Sequence, residues 1–254
     1  MKSQHHSSLR LALVCLAATG LVFLTGCATR SISDSGYRGG NYHSGSLYRG
    51  ELSEFDVLGV DRDQTITDAD IAKALDNPAR VKLRRGSSLV LIQSGAMMPD
   101  EPMAEALGRF VSVVPFSGWP TDGQRGVVKP DSETRSSYAK SLRLAAAKGG
   151  CETIVCYWGM LETARKGLAS KPVSWVPIVG WSLPDEKQLM RIRLKVAVID
   201  VRAGHWSVFS PEPFEDQAVS ANYGREAADQ SQVQKLKQKA YEAAVKDLLR
   251  IYGG

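Results

Sequence analysis

The sequence predicts an α/β fold, a mixed sheet of about five strands covered by helices and closed by a C-terminal amphipathic helix. Three observations carry this. The run Arg191 to Val201 (RIRLKVAVIDV) alternates at its start, with apolar residues at even positions and Arg191, Arg193 and Lys195 between them, the period of a strand with one covered face. From Val81 onward, strand-like and helix-like segments alternate, which places helices over a sheet. Residues 231–252 carry Val233, Leu236, Ala240, Ala244, Leu248 and Ile251 at spacings of three or four, with Lys and Gln opposite.

Taken in order, residues 1–10 hold Lys2 and Arg10 and no acid, and residues 11–24 are uncharged and mostly apolar, the layout of a signal peptide. Fourteen helical residues rise about 21 Å, short of the roughly 30 Å hydrocarbon core, so a stable transmembrane helix is disfavoured. The stretch Leu24-Thr25-Gly26-Cys27 ends this run. It resembles a bacterial lipoprotein signal, in which small residues precede a cysteine that is cut at its N-terminal side and acylated. The resemblance implies a lipidated Cys27 and a body held on a membrane. The other reading is an ordinary secretory signal cleaved elsewhere, or an uncleaved anchor. Ala28, rather than Asp, after the cysteine resembles sorting to the outer membrane of a Gram-negative cell, on the periplasmic side.

Removing residues 1–26 takes away Lys2 and Arg10 from the formal charge of +5, leaving +3. So mild an excess on a mixed surface does not make a nucleic-acid footprint. Cys27, Cys151 and Cys156 remain. Placed on one strand, Cys151 and Cys156 would lie about 16 Å apart on opposite faces, beyond the roughly 7 Å a disulfide tolerates. Both are expected to pack as small hydrophobes.

Residues 27–50 are rich in Ser and Gly, with Tyr37, Tyr42 and Tyr48 scattered and no apolar period, and are expected to form a flexible tether. Residues 51–80 form a small helical lead-in. Thr67 is expected to cap a helix with Asp68 and Asp70 in its first turn, ended near Pro78. Asp61-Arg62-Asp63 invites a calcium-loop reading, which fails because Ile66 stands where the loop needs Gly and Ala72 where it needs Glu.

Residues 81–254 form the α/β domain. Ser88–Gln93 is a buried-strand run interrupted at Ser94-Gly95, and Pro99 to Phe110 is a short helix with Met103, Leu107 and Phe110 on one side. Val111–Phe116 is a second strand. Ser117 to Pro130 is a loop, and Ser136 to Lys148 a helix stopped by Gly149-Gly150. A third strand starts at Thr153 and continues toward Thr163. Arg191–Val201 is the long strand, Arg202-Ala203-Gly204 a turn, and His205–Phe209 pairs back as a hairpin.

From Ala145 to Trp158, and again at Ala197 to Trp206, this pattern resembles the lipoprotein domain shared by the CsgG curli-secretion group, the penicillin-binding-protein activator lipoproteins and the N-terminal domain of TolB. Asp200, Gly204 and Trp206 stand at the D-x-x-x-G-x-W positions of that likeness, which spans roughly residues 85–252. It implies partner binding or assembly and brings no catalytic residue.

Motifs for zinc proteases, nucleophile elbows, P-loops and dinucleotide folds are absent, and no cofactor or metal is expected. Past the signal, the histidines are His43 and His205. Ser94 after a strand, a Cys156–His205 pair and Asp200 are the residues through which a hydrolase could act. Each has a structural reading: a strand-end turn, strand packing, and a carboxylate satisfying turn amides. The unusual stretch is Lys171 to Pro184, with two Trp, five aliphatic residues and three prolines. It reads either as a loop finishing the core at the sheet edge or as a lip facing a partner or membrane. On the second reading Trp175, Val176, Ile178, Val179, Trp181 and Leu183 bind the partner. Pro172, Pro177 and Pro184 argue against long strands there. The expected function is therefore a non-enzymatic, lipid-anchored envelope protein that binds or helps assemble another envelope component. The alternatives are an envelope hydrolase or an oligomeric export component; the sequence names neither the partner nor the oligomeric state.

Overall fold

The computed structural model describes residues 30–34, 48–60, 65–76, 81–120, 132–165, 174–177, 188–218 and 225–253. The strands are β1 (Arg30–Ser31), β2 (Ser88–Gln93), β3 (Ser112–Phe116), β4 (Thr153–Arg165), β5 (Ser174–Pro177), β6 (Gln188–Asp200), β7 (Trp206–Phe209) and β8 (Phe214–Ala218). The helices are α1 (Glu54–Leu58), α2 (Asp68–Asp76), α3 (Glu101–Gly108), α4 (Ser132–Lys148) and α5 (Arg225–Tyr252).

The sheet is mixed, as expected. Its main path has five strands in the order β3-β2-β4-β6-β7, and β1, β5 and β8 attach to it. β2 runs parallel to β3 and β4, and the other pairings between these strands are antiparallel among the described residues. Parallel neighbours need a crossover. α3 supplies it between β2 and β3, and α4 lies between β3 and β4 in the chain.

Side-chain parity then builds two cores. Leu89 and Leu91 of β2, Val155 and Tyr157 of β4, and Ile192 to Val198 at even positions of β6 pack with Met103 and Leu107 of α3 and with Val233, Leu236, Tyr241 and Leu248 of α5. Each fully buried Leu or Val in such a layer contributes about 1.5–3 kcal/mol of gross burial energy. On the other face Val90, Ile92, Ile154, Cys156 and Ile199 pack with Leu142 and Ala146 of α4, Val57 of α1, and Leu52. The result is three layers, helix on sheet on helix. α5 is longer than the stripe suggested, and Ile251 lies outside that stripe at 44% exposed.

β4 and β6 pair over their whole lengths, from Thr153↔Asp200 to Arg165↔Gln188. The other edge of β4 is shared end to end. β2 takes Thr153–Tyr157, β1 takes Met160–Leu161, and β5 takes Glu162–Arg165. Two expectations change here. Within the stretch read as a flexible tether, residues 30–34 are docked: β1 pairs with β4, and a 3-10 turn at Ile32–Asp34 buries Ile32. The Pro-rich stretch contains a strand after all, although a short one, since β5 has four residues and ends at Pro177. β8, not expected from the sequence, pairs with β6 at Gln188–Ile192.

Candidate functional site

In open α/β sheets, ligands gather beyond the carboxyl ends of the parallel strands. In this chain the chain's own N-terminal residues occupy that place. Gln93, the last residue of β2, is buried, and its side-chain carbonyl accepts hydrogen bonds from the Tyr157 hydroxyl at 2.6 Å and the Asp100 N–H at 2.7 Å. Its amide donates to Ser33 Oγ at 3.0 Å, and Ser33 Oγ donates to the Ser94 carbonyl at 2.6 Å. Ser94 Oγ accepts from the Leu52 N–H at 2.7 Å. At the other end of the network, the Asp100 carboxylate accepts from Lys237 Nζ at 2.8 Å and from the Tyr241 hydroxyl. Burial pushes the phenols of Tyr157 and Tyr241 well up, so both stay protonated donors. The network ties residues 33 and 52 to α3, β4 and α5.

The open site lies on the opposite face. The buried cluster under α4 and α1 ends at Cys156 and Ile199 with Trp158 packed at its edge, and Met160 of β4 and Arg193 and Lys195 of β6 follow along the same face. They line a cavity of about 570 Å³, walled by Ser31, Tyr48, Glu51 and Glu54 on one side and by Ser210–Pro213 on the other. Its floor is held firmly. Trp158 Nε1 donates to the Leu52 carbonyl at 2.8 Å, and Lys195 Nζ pairs with Glu54 Oε1 at 2.6 Å. The Arg193 side chain, 51% exposed, stands 3.6 Å from Glu162. Glu162 also pairs with Arg191.

Glu51 is half-buried in the wall. Its Oε2 is buried and has no hydrogen-bond partner among the described residues. Tyr48 donates to Oε1 of the same carboxylate at 3.4 Å, and burial, with Glu51 and Asp34 adding to it, pushes the Tyr48 phenol up to about 12. An unpartnered buried acceptor costs about 1–3 kcal/mol. The cavity therefore suits a partner that brings an apolar body to Trp158 and Met160.

Ser94, Cys156 and Asp200 hold structural positions. Ser94 is buried and bonded to Leu52. Cys151 and Cys156 are free and buried. Burial pushes the Cys156 thiol well up, with the Glu51 and Glu54 carboxylates adding to the effect. Asp200 Oδ1 accepts the Ala203 N–H at 2.6 Å, and the Gly204 N–H donates to the Asp200 carbonyl at 2.9 Å. Gly204 has φ +75°, and a side chain there would meet the Arg143 guanidinium, which hydrogen-bonds the Val201 and Arg202 carbonyls. This builds the Asp200–Gly204–Trp206 turn read in the sequence. No hydrogen bond joins the side chains of any two of Ser94, Cys156, Asp200 and His205 among the described residues, and their placement gives no basis for a Ser–His or Cys–His pair.

Of the partner-binding residues expected from sequence, Trp175 and Val176 fall in β5, opposite Ala164 and Thr163 of β4. Ile178, Val179, Trp181 and Leu183, like Cys27, lie outside the described residues. The sequence reading missed the cavity. It is built from five separate stretches, and only the basic face of β6 hinted at it.

Against known proteins, the family model described as YafT bacterial lipoprotein matches residues 53–251. No curated protein matches. Among solved structures, the chain is similar to a PelC dodecamer from Paraburkholderia phytofirmans, with 14% identity and TM-score 0.26 over 65% of this chain and 95% of that one. It is similar to lipoprotein GNA1162 from Neisseria meningitidis, with 13% identity and TM-score 0.24 over 60% and 99%. A neuraminyllactose-binding hemagglutinin homolog from Helicobacter pylori is 8% identical, with TM-score 0.29 over 68% and 89%.

Proposed function

The chain belongs to the YafT bacterial lipoprotein family, and on that premise we propose that it is a non-enzymatic envelope protein, acylated at Cys27, that binds another envelope component. The periplasmic face of the outer membrane is the placement that Ala28 supports. The observation that carries binding over catalysis is the cavity above Trp158 and Met160. It combines an apolar floor at Trp158 and Met160 with the half-exposed Arg193 side chain, whereas Ser94 and Asp200 hold backbone N–H groups and Cys156 is packed in the core. The likeness to the CsgG and TolB-type domains, which implies partner binding, supports the same reading.

A photo-crosslinking residue in place of Met160, in cells, tests it. The expected result is one discrete adduct, lost when Trp158→Ala is added and not formed from Leu144, an exposed position on α4. No adduct from position 160, or the same adduct from both positions, would overturn the assignment.

A further inference from the structure

We infer that the cavity takes an extended peptide segment, held by the main chain of Leu194 and by the peptide's own apolar side chains on Trp158 and Met160. This rests on the cavity being the binding site proposed above. The sheet edge is broken there. β7 pairs with β6 from Ile199 to Val196, and β8 pairs with it from Ile192 to Gln188. Between them Arg193, Leu194 and Lys195 lie opposite the connector Ser210–Pro213, and both sides line the cavity. Three residues of β6 thus stand against four, so the connector carries one residue of slack, as a β-bulge does.

Strand parity shows which main-chain groups the break leaves open. The Asp200 N–H donates to the His205 carbonyl at 2.8 Å, so even-numbered residues of β6 turn their N–H and C=O toward β7. The register with β4 runs unbroken from Thr153↔Asp200 to Arg165↔Gln188, so no bulge in β6 shifts that parity. The far side of β4 agrees. The Tyr157 carbonyl accepts the Ser94 N–H and so faces β2, which turns Val196, opposite Tyr157, away from β4. Leu194 therefore points its N–H and C=O at the connector. Pro211 and Pro213 have no N–H to give, and no backbone hydrogen bond joins Leu194 to residues 210–213 among the described residues. The Leu194 side chain is buried in the core shared with α5, so it is the main chain that meets the cavity. A buried main-chain pair without a partner is rare.

A peptide is the occupant this pair fits. In an antiparallel ladder one residue exchanges both hydrogen bonds with the residue opposite, so a single peptide residue satisfies Leu194 within a gap three residues long. Its two neighbours then fall opposite Lys195 and Arg193 and point, as those do, to the cavity face. On β4, Trp158 stands opposite Lys195 and Met160 opposite Arg193. Two strand spacings, about 10 Å, separate the peptide from β4, a distance that large apolar side chains close from both sides. The middle side chain points to the packed α5 face and must be small. The preferred pattern is thus apolar–small–apolar. Charge adds little, because Lys195 pairs with Glu54 and Arg193 with Glu162. A fatty acyl chain would cover Trp158 and Met160 and leave Leu194 unpaired. The volume, about 570 Å³, is that of a small-ligand pocket and holds a short segment rather than a domain.

The test titrates the full chain in detergent micelles, isotope-labelled at its leucine nitrogens, with acetyl-Ser-Phe-Ala-Leu-Ser-amide. The Leu194 amide resonance is identified by its loss in Leu194→Ile. In the free protein that amide is expected to exchange with solvent faster than the amide of Leu91, which lies between two paired strands. The peptide should shift the Leu194 proton downfield, saturably, and slow its exchange. N-methylation of the peptide's Ala removes the donor to the Leu194 carbonyl and should weaken binding about three- to tenfold. The rearranged acetyl-Ser-Ala-Phe-Leu-Ser-amide puts one large side chain rather than two on the cavity face and should bind at least about fivefold more weakly. Slow exchange at Leu194 in the free protein would mean a closed edge and overturn the inference. Equal binding of all three peptides would overturn main-chain recognition and leave the cavity as a general apolar site. An adduct from position 160 in cells that carries a glycan or a lipid and no peptide would also overturn the peptide and leave the cavity standing. Absence of peptide binding overturns the inference alone; joined to the absence of any adduct from position 160, it removes the cavity as a binding site too.

Discussion

Gly159 is the residue on which the docking of the N-terminal segment turns. A Cβ there would lie 2.5 Å from Ile32 Cδ1 and 2.9 Å from Leu194 Cδ2, closer than packed carbons approach. The missing side chain is what admits Ile32 beneath β1. Gly159→Ala should therefore cost about 1–3 kcal/mol by overpacking, measured by urea unfolding. The cost should shrink when Ile32→Ala removes the clashing atoms, as a double-mutant cycle would read. Full cost in both backgrounds would show that Leu194, not Ile32, meets the new methyl. Cys156 offers a second measurement at this scale. Its thiol is buried and its pKa pushed well up, so alkylation should be slow in the native protein and accelerate in parallel with unfolding as denaturant is added. Rapid labelling in native buffer would contradict the packing drawn for β4.

Among the elements, α5 is attached by more than its apolar stripe. Lys237, 6% exposed at its side of the pair after folding, reaches Asp100 ahead of α3, and Tyr241 joins the same carboxylate while packing edge-on against Tyr157 at 5.6 Å. Lys237→Met leaves the carboxylate with one partner fewer and should cost about 1–3 kcal/mol. Adding Asp100→Asn should recover part of it, because an unpaired charge is then no longer confined. Equal losses in single and double variants, by thermal unfolding, would mean the pair is solvated. The contrast between elements also shows what the chain makes legible. β4, β6 and α5 announce themselves because their own apolar periods match the layers that cover them. The cap of α2 is likewise local, with Thr67 and Asp70 bonding each other's groups as their spacing implies. β1, β5 and β8 are two to five residues long, and their pairing is dictated by which part of β4 or β6 has a free edge, a fact about other segments. The cavity was hidden for the same reason. Trp158 and Lys195 look like ordinary outward strand residues until the reach of α4 is known.

At the scale of the whole molecule, the docked N-terminus, the cavity and the core network share a dependence on tyrosines that must stay protonated. Burial raises the phenols of Tyr48 and Tyr138 from 10.0 to about 12, with Glu51 and Asp34 adding at Tyr48, and Cys156 and Asp56 at Tyr138. Burial also raises Tyr157 and Tyr241. A phenol whose folded-state pKa exceeds its unfolded value stabilises the fold fully below the unfolded pKa and loses that contribution as pH rises through the folded one. Stability should consequently be level up to about pH 10 and fall between pH 10 and 12. These tyrosines do not share one fate. Tyr48 is only partly buried, at the cavity mouth, so its phenolate forms against that burial and the repulsion of Glu51 and Asp34 without opening the core. Tyr157 and Tyr241 sit in the core that joins α5 to the sheet, so their ionisation requires the layers to separate. Raising the pH should first release Tyr48 and the segment around Glu51, while far-ultraviolet circular dichroism stays native. Loss of secondary structure should follow at higher pH, together with the bulk of the phenolate absorbance. Tyr48→Phe should abolish the early phenolate step and leave the later transition in place. A single transition in both signals, unchanged by Tyr48→Phe, would mean that the cavity wall and the core open as one unit.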